Sequence, residues 1–143
     1  MSRLSFWYAA LSGAFLLLVA WGYGLFASVG GIAVGISPFD FSVMSLATMR
    51  LVRLFTFDKI TAPVRDWLGA GPEGSLRNAL FHLSGCLWCT GIWAGFLVVF
   101  LFFAYPITWY VVFALALSAA GSLLQLIASL LGSTVEIQKR RAQ

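Results

Sequence analysis

The sequence that decides the fold is residues 78–135, NALFHLSGCLWCTGIWAGFLVVFLFFAYPITWYVVFALALSAAGSLLQLIASLLGSTV. These 58 residues lie between Arg77 and Glu136 and contain no formal charge. A helix needs about 20 apolar residues to cross a hydrocarbon core about 30 Å thick, because each residue adds ~1.5 Å. The tract is therefore long enough for two membrane-spanning helices. Pro106 lies near its middle, lacks an amide donor and favours a turn at residues 105–108.

The composition also indicates that the main solvent is lipid. Charged residues make up 10% of the 143 residues and hydrophobic residues 61%, whereas about 25% of a soluble domain is charged. This composition excludes a secreted disulfide scaffold, a disordered chain and a conventional soluble enzyme, and there are too few bases for a nucleic-acid interface. We predict an all-α integral membrane protein, with residues 1–143 forming a single membrane domain.

The N-terminal half supplies two further apolar helices. The 36 residues between Arg3 and Asp40 carry no charge, which predicts a helix over 4–29. Ser37-Pro38-Phe39-Asp40 is typical of a helix start, with serine as the N-cap, proline at the first helical position and an acid three residues after the cap. The complete prediction is four transmembrane helices, over 4–29, 38–57, 86–104 and 109–131.

The distribution of basic residues favours four spans over three. Cytoplasmic connections of membrane proteins carry an excess of Lys and Arg. With four spans, the N-terminus, the loop 58–85 and the basic tail 132–143 share one side. If 38–57 lay in the interface as an amphipathic helix, these segments would be divided between the two sides. We therefore predict four spans with both termini cytoplasmic.

The loop 58–85 is the only sizeable segment that we predict outside lipid. Pro63 favours a short helix, the glycine-rich run 69–74 requires a turn, and Ser75 can cap a second short helix. Both pieces mix apolar and basic residues, which is typical of a segment on an anionic membrane surface. A docking surface for a partner is the alternative. The prediction is a short, partly helical cytoplasmic loop between helices two and three.

Cys86-Leu87-Trp88-Cys89 is the most specific local motif, and three interpretations stay open. The first is a redox dithiol, because a helix N-terminus lowers a thiol pKa, although the chain has only these two cysteines. The second is a metal site in which His82, Cys86 and Cys89 bind zinc or another thiophilic metal with a fourth ligand from elsewhere. The third is structural packing of small thiols. We predict no bound cofactor, with the metal as the open alternative.

Two arginines lie within the second predicted helix. Arg50 and Arg53 share a helix face, about 18 and 22 Å from Pro38 at ~1.5 Å per residue. Ionisable groups at such depth are candidates for functional sites. One interpretation is a structural clamp, in which they bind Asp58 or the helix-end carbonyls of the loop. The alternative is an anion or lipid-headgroup site formed by Arg50, Arg53 and Arg65.

Small residues predict close contacts of the last two helices. Gly91 and Gly95 lie four residues apart in the third helix, and Ser118, Ser122 and Gln125 follow near-helical spacing in the fourth. Such positions let helices approach closely, and Gln125 can hydrogen-bond across the contact. Contacts within the bundle and contacts with another subunit both fit this pattern.

Three ordered blocks resemble a known family: residues 46–55 (LATMRLVRLF), 58–65 (DKITAPVR) and 86–93 (CLWCTGIW). They are similar to the YjcA-like family of small bacterial and phage membrane proteins, a domain of unknown function with a sporulation-linked member. The likeness runs from about residue 40 to 131. Leu87 stands where the family often has proline, and this chain adds a first helix in front.

The resemblance implies a multi-pass membrane protein of bacterial type without an assigned activity. Together with the predicted orientation, it leads us to expect the cytoplasmic (inner) membrane of a bacterium. It also implies that eight residues form one site: Arg50, Arg53, Asp58, Lys59, Arg65, Cys86, Cys89 and Trp93.

The functional prediction is a non-enzymatic accessory subunit or assembly component of a larger membrane complex. The sequence contains no complete catalytic set, and little protein lies outside the bilayer. The predicted partners are the lipid bilayer and other membrane subunits or further copies of the chain, not nucleic acid. The alternative is a cysteine-dependent redox or metal-binding membrane protein that uses Cys86 and Cys89 at the cytoplasmic face.

Overall fold

The fold is helical throughout the part of the chain that the computed structural model describes, residues 3–28, 35–104 and 106–141. The helices are α1 (Arg3–Ser28), α2 (Pro38–Thr56), α3 (Ala62–Gly69), α4 (Leu76–Gly85), α5 (Leu87–Ala104) and α6 (Pro106–Arg141), with a 3-10 turn at Lys59–Thr61. The all-α class is therefore confirmed. The predicted residue 29 of the first helix and residue 105 of the predicted turn lie outside the described residues.

Three helices are long and apolar enough to cross a membrane. They are α1, α5 and the Pro106–Thr134 portion of α6. The helix α2 is not among them, because its 19 residues include Asp40, Arg50 and Arg53. The structure thus confirms membrane-spanning helices, whereas the fourth predicted span is not confirmed by length and composition.

The helix α2 begins at Pro38 with Ser37 as its N-cap, as the sequence predicts. The Ser37 hydroxyl accepts a hydrogen bond from the backbone NH of Asp40 (3.1 Å), and the Asp40 carboxylate accepts one from the backbone NH of Ser37 (3.3 Å). This reciprocal capping box satisfies two amides that the first helical turn leaves without partners.

The last helix is longer at both ends than the predicted 109–131. Pro106 begins α6 because its missing NH would have no helical partner at that position in any case. The Thr108 hydroxyl donates to the Leu101 carbonyl, which ties the start of α6 to the end of α5. At the other end, residues 132–141 include good helix formers and no proline. The predicted tail is therefore helical as far as Arg141, and residues 142–143 lie outside the described chain.

The core lies between α2, α5 and α6. Ala47, Val98 and Val112 are completely buried there. Alanine at Ala47 and Ala116 lets the helix backbones approach closely. The complete buried cluster is Val43, Met44, Ala47, Leu51, Ala94, Val98, Val112 and Ala116. This cluster places α2 at the centre of the fold, in contact with both α5 and α6.

The helix α1 packs on the outside of α5 through aromatic rings. Phe15 contacts Trp93 with ring centroids 5.1 Å apart, and Phe26 contacts Phe103 at 6.0 Å. Residue numbers increase in the same direction in both helices, so α1 and α5 run parallel. Near the start of α1, the indole NH of Trp7 donates to the Gly74 carbonyl at 3.1 Å. We call this end of the bundle, which holds the start of α1, the end of α2 and the start of α5, the loop end.

The two glycines of α5 have different surroundings. A methyl group added at Gly95 would meet the Thr48 Cγ2 atom at 3.8 Å, whereas one added at Gly91 would meet nothing within 4 Å. Within the described chain, Gly95 therefore lies beside Thr48 of α2, whereas Gly91 faces open space.

The open space at Gly91 allows a test. We expect Gly91→Ala to raise the free energy of unfolding by about 0.5–1 kcal/mol, because alanine restricts the unfolded chain and favours the helix. Denaturant unfolding in mild detergent measures this, with Gly95→Ala as the variant that must fit beside Thr48. A marked loss of stability in Gly91→Ala would contradict the expected result.

Candidate functional site at the loop end

The end of α2 is held by side chains from the loop. A helix leaves its last carbonyls without partners in the helix itself. The Arg65 Nη1 donates to the carbonyl oxygens of Phe55 (3.0 Å) and Asp58 (3.1 Å). The Thr61 hydroxyl donates to the Leu54 carbonyl and accepts from the Arg65 guanidinium at 2.6 Å. These hydrogen bonds connect the start of the loop to the end of α2.

An ion pair adds to this attachment. The Arg50 Nη2 lies 3.1 Å from the Asp58 Oδ2, and both side chains are about three-quarters buried. We call the group formed by Arg50, Asp58, Thr61 and Arg65 the α2 clamp. Its geometry agrees with the clamp interpretation of Arg50, while Arg65 rather than Arg53 binds the helix-end carbonyls.

The three arginines of the predicted anion or headgroup site have different surroundings. Arg50 and Arg65 are engaged in the α2 clamp. Arg53 is exposed and has no ion pair or side-chain hydrogen bond with the described residues. Within the described chain, the three guanidinium groups are therefore not all available to one anion.

Cys86 connects α4 to α5 and caps the second of these helices. Its sulfur accepts a hydrogen bond from the backbone NH of Cys89 at 3.4 Å, and its carbonyl accepts one from the backbone NH of Thr90 at 2.9 Å. Both cysteines are free thiols. The side chain and the backbone NH of Cys89 lower the pKa of Cys86 below that of an ordinary thiol. Hydrogen bonds to a thiolate stabilise that form, and the thiolate is the nucleophilic form of cysteine.

The lowered pKa of Cys86 predicts that its thiol is alkylated at lower pH than an ordinary thiol. Cys86 should react with iodoacetamide with a midpoint at lower pH than a free cysteine, since the thiolate is the nucleophile. Cys89→Ala removes the side-chain hydrogen bond and raises the pKa, so alkylation at pH 7 should slow. Mass spectrometry measures the alkylation rate of Cys86 from about pH 6 to about pH 10. This range brackets the free thiol pKa of ~8.5. An unchanged midpoint in Cys89→Ala would show that the Cys89 thiol is not the cause.

The three predicted metal ligands line two different cavities. Cys86 and His82 line a cavity of about 450 Å³, whereas Cys89 lines another of about 400 Å³ between α1 and α5. The exposed His82 ring packs edge-on against Phe81 at 5.8 Å. No group of three or more His, Cys, Asp or Glu that could hold a metal ion occurs among the described residues.

The predicted packing residues of α6 lie outside the three-helix core. Ser118 and Gln125 are exposed, and Ser122 is partly exposed. The Ser122 hydroxyl donates to the Ser118 carbonyl of the same helix at 2.8 Å. Within the described chain, Ser118 and Gln125 thus lie on the exposed side of α6, whereas Ala116 and Ala119 lie on its buried face.

The structure divides the implied eight-residue site into groups at one end of the bundle. Arg50, Asp58 and Arg65 belong to the α2 clamp, and Arg65 also lines the cavity of Cys86. Cys89 and Trp93 line the cavity beside α1. Arg53 and Lys59 are exposed.

Two features of the loop were not predicted from the sequence. The Arg77 guanidinium lies 4.4 Å from the centroid of the Trp67 ring, and its Nε donates to the Trp67 carbonyl at 2.6 Å. These contacts join α3 to α4 across the glycine-rich turn. The second feature is Thr61 in the α2 clamp. The one sequence signal for Thr61 is its position three residues after Asp58. At this spacing the Thr61 hydroxyl donates to the Asp58 carbonyl at 3.1 Å in the 3-10 turn.

Comparisons with known proteins agree with the resemblance. Residues 69–128 match a family described as "Protein of unknown function (DUF1360)". The chain is 35% identical over 74 aligned residues to Sporulation protein YjcA of Bacillus subtilis (strain 168), with 40% of this chain and 63% of that protein covered. It is 30% identical over 102 aligned residues to UPF0713 protein YngL of the same organism, with coverages of 63% and 78%. No solved structure matches the chain. The chain therefore belongs to the YjcA-like family of proteins of unknown function.

Proposed function

We propose that this protein is a four-span subunit or assembly component, not an enzyme, of a larger complex in the bacterial cytoplasmic membrane. In this proposal the outer face of α6 binds the neighbouring subunit. The observation that carries it is the exposed amide of Gln125 on a membrane-spanning helix.

The position of α2 in the core supports four spans. Its buried positions run from Val43 to Leu51 and pack against α5 and α6, which are both apolar enough to span. An interfacial α2 would have to leave this core. Arg50 and Arg53 then lie toward the loop end and Asp40 at the other end. By the positive-inside rule the loop end is cytoplasmic.

The environment of Gln125 supports a partner for α6. Gln125 lies about 24 Å along the helix from Trp109 at ~1.5 Å per residue, inside a hydrocarbon core of about 30 Å. Its side chain is exposed and makes no hydrogen bond to the described residues. An unpaired amide in hydrocarbon costs free energy, and a hydrogen bond across a helix contact removes that cost. Ser118 and Ser122 on the same side of α6 allow close approach.

The test is the native mass of the protein extracted in mild detergent from its own membrane. We expect a mass above 15.6 kDa that includes other chains, and we expect Gln125→Leu to release them. Val99→Leu, at an exposed apolar position of α5, is the control that should leave the mass unchanged. A wild-type mass of one chain would contradict the proposal. An integer multiple of the chain mass would assign the α6 face to self-association instead.

A second candidate function is a cysteine-dependent redox or metal site at the cytoplasmic face. The hydrogen-bonded Cys86 sulfur, beside a cavity that Arg65, Asp66 and His82 also line, favours it. Complementation of a deletion strain by Cys86→Ser, Cys89→Ser tests this candidate. Full complementation would eliminate it, whereas failure of a correctly folded, membrane-inserted double variant would favour it over the first proposal.

A further inference from the structure

A cavity of about 520 Å³ lies between α1, α2 and α5, below the α3–α4 segment at the loop end. Leu18 and Trp21 form one wall, Leu51 and Phe55 the opposite wall, and Leu97 part of the back. Such a volume lies within the range of about 300–1,000 Å³ that is usual for ligand sites.

The two hydroxyl groups among the residues that line this cavity are already hydrogen-bonded. The Thr90 hydroxyl donates to the Leu83 carbonyl at 2.9 Å, and the Ser84 hydroxyl donates to the Phe81 carbonyl at 2.8 Å. The interior therefore offers contacts to hydrocarbon and no free hydrogen-bonding group from these side chains. An occupant must be apolar over the length of the cavity.

The cavity is accessible from the side. Within the described ranges, the backbones of α1 and α2 do not pack closely against each other, although each helix packs against α5. Leu18 and Trp21 of α1 and Phe55 of α2 remain exposed beside this gap, while Leu68 and Leu80 line the cavity on the side of the loop. Along α5 it extends from Thr90 to Phe100, about 15 Å at ~1.5 Å per residue. That depth is half of a hydrocarbon core of about 30 Å, which is the depth of one leaflet.

The loop end also presents positive charge. Arg3, Arg53 and Lys59 are exposed there and have no ion-pair partner among the described side chains. Basic residues at a cytoplasmic surface attract anionic lipids. We propose that the cavity holds one acyl chain of an anionic phospholipid from the leaflet at the loop end. The site is independent of the α6 contact, so lipid binding can fail while the complex persists.

The test measures phospholipid that stays bound to the purified full-length chain. The protein is reconstituted with phosphatidylglycerol and phosphatidylethanolamine of equal chain length, extracted in mild detergent and examined by native mass spectrometry. We expect one bound lipid per chain with phosphatidylglycerol in excess. Leu97→Trp fills the cavity from α5 and should lower retention by about tenfold or more, since several methylene groups lose their burial. Val99→Trp, on the same helix but outside the cavity, should retain lipid.

Each outcome decides the proposal. Absence of retained phospholipid from wild type, equal retention by wild type and Leu97→Trp, or retention of an isoprenoid quinone from native membranes in place of phospholipid would overturn it. Leu18→Trp fills the cavity from the α1 side and repeats the test should Leu97→Trp fail to fold. Equal retention of the two headgroups would overturn the anionic preference.

Discussion

Replacing Arg65 by methionine is expected to lower the free energy of unfolding by about 2–4 kcal/mol, because hydrogen bonds from a charged donor contribute roughly 1.5–3 kcal/mol and their oxygen acceptors would lose partners. The guanidinium binds the carbonyls of Phe55 and Asp58 and the Thr61 hydroxyl. Methionine retains much of the aliphatic stem and makes none of these bonds. Denaturant unfolding of the full chain in detergent micelles measures the change.

Arg53→Met is the matched control for this prediction. Arg53 also lies at the loop end but is exposed and has no partner among the described residues. We expect a change within about 0.5 kcal/mol, as for other surface substitutions. Equal losses in the two variants would mean that positive charge at the loop end, rather than the α2 clamp, stabilises the fold.

Ala47→Leu is expected to destabilise the bundle by about 1–3 kcal/mol, the usual cost of added methylenes in a packed core. Ala47 is completely buried where α2 meets the other core helices. A larger side chain must push α2 away from α5 or α6 or adopt a strained rotamer. Thermal unfolding in mild detergent measures the loss.

Ser45→Leu provides the control on the same helix. Ser45 is exposed on α2, so a leucine there should leave stability nearly unchanged or improve contact with lipid. Full stability of Ala47→Leu would contradict the three-helix core. A large loss in Ser45→Leu would indicate that the outer face of α2 is covered by a partner.

The sequence predicted the helices for which uncharged length is decisive. The absence of charge between Arg3 and Asp40 and between Arg77 and Glu136 predicts α1 and α5 closely, whereas α6 extends beyond the predicted 109–131 at both ends. The start of α6 was misplaced because a proline that ends one helix can also begin the next at its first position. The central place of α2 depends on Ala47 fitting against two other helices, and no periodicity within α2 specifies that fit.

The candidate site was predictable only where partners are near in sequence. Arg50 and Asp58 are eight residues apart, and their pairing was among the interpretations of the sequence. The bonds from Arg65 to the end of α2 require the chain to reverse after the 3-10 turn, so residue spacing could not assign them. The acyl-chain cavity depends on the separation of α1 from α2, which is a property of tertiary packing.

The α2 clamp, the Cys86 cavity and the acyl-chain cavity all adjoin the loop end. If α2 spans the membrane, the three features face the cytoplasm or the cytoplasmic leaflet. If α2 lies in the interface, only α1 crosses the membrane before α5, so the starts of α1 and α5 would lie on opposite sides, contrary to the parallel packing of these two helices. The orientation of α2 is therefore the central claim on which the proposed function depends.

Cysteine labelling of α2 from each side tests that claim most directly. In a Cys86→Ser, Cys89→Ala background, Ile36→Cys places a thiol before α2 and Glu73→Cys places one in the loop, both at exposed positions. A membrane-impermeant maleimide should label Ile36→Cys in spheroplasts and Glu73→Cys in inverted vesicles. Labelling of both cysteines from the same side would contradict the account, because α2 would then not cross the membrane.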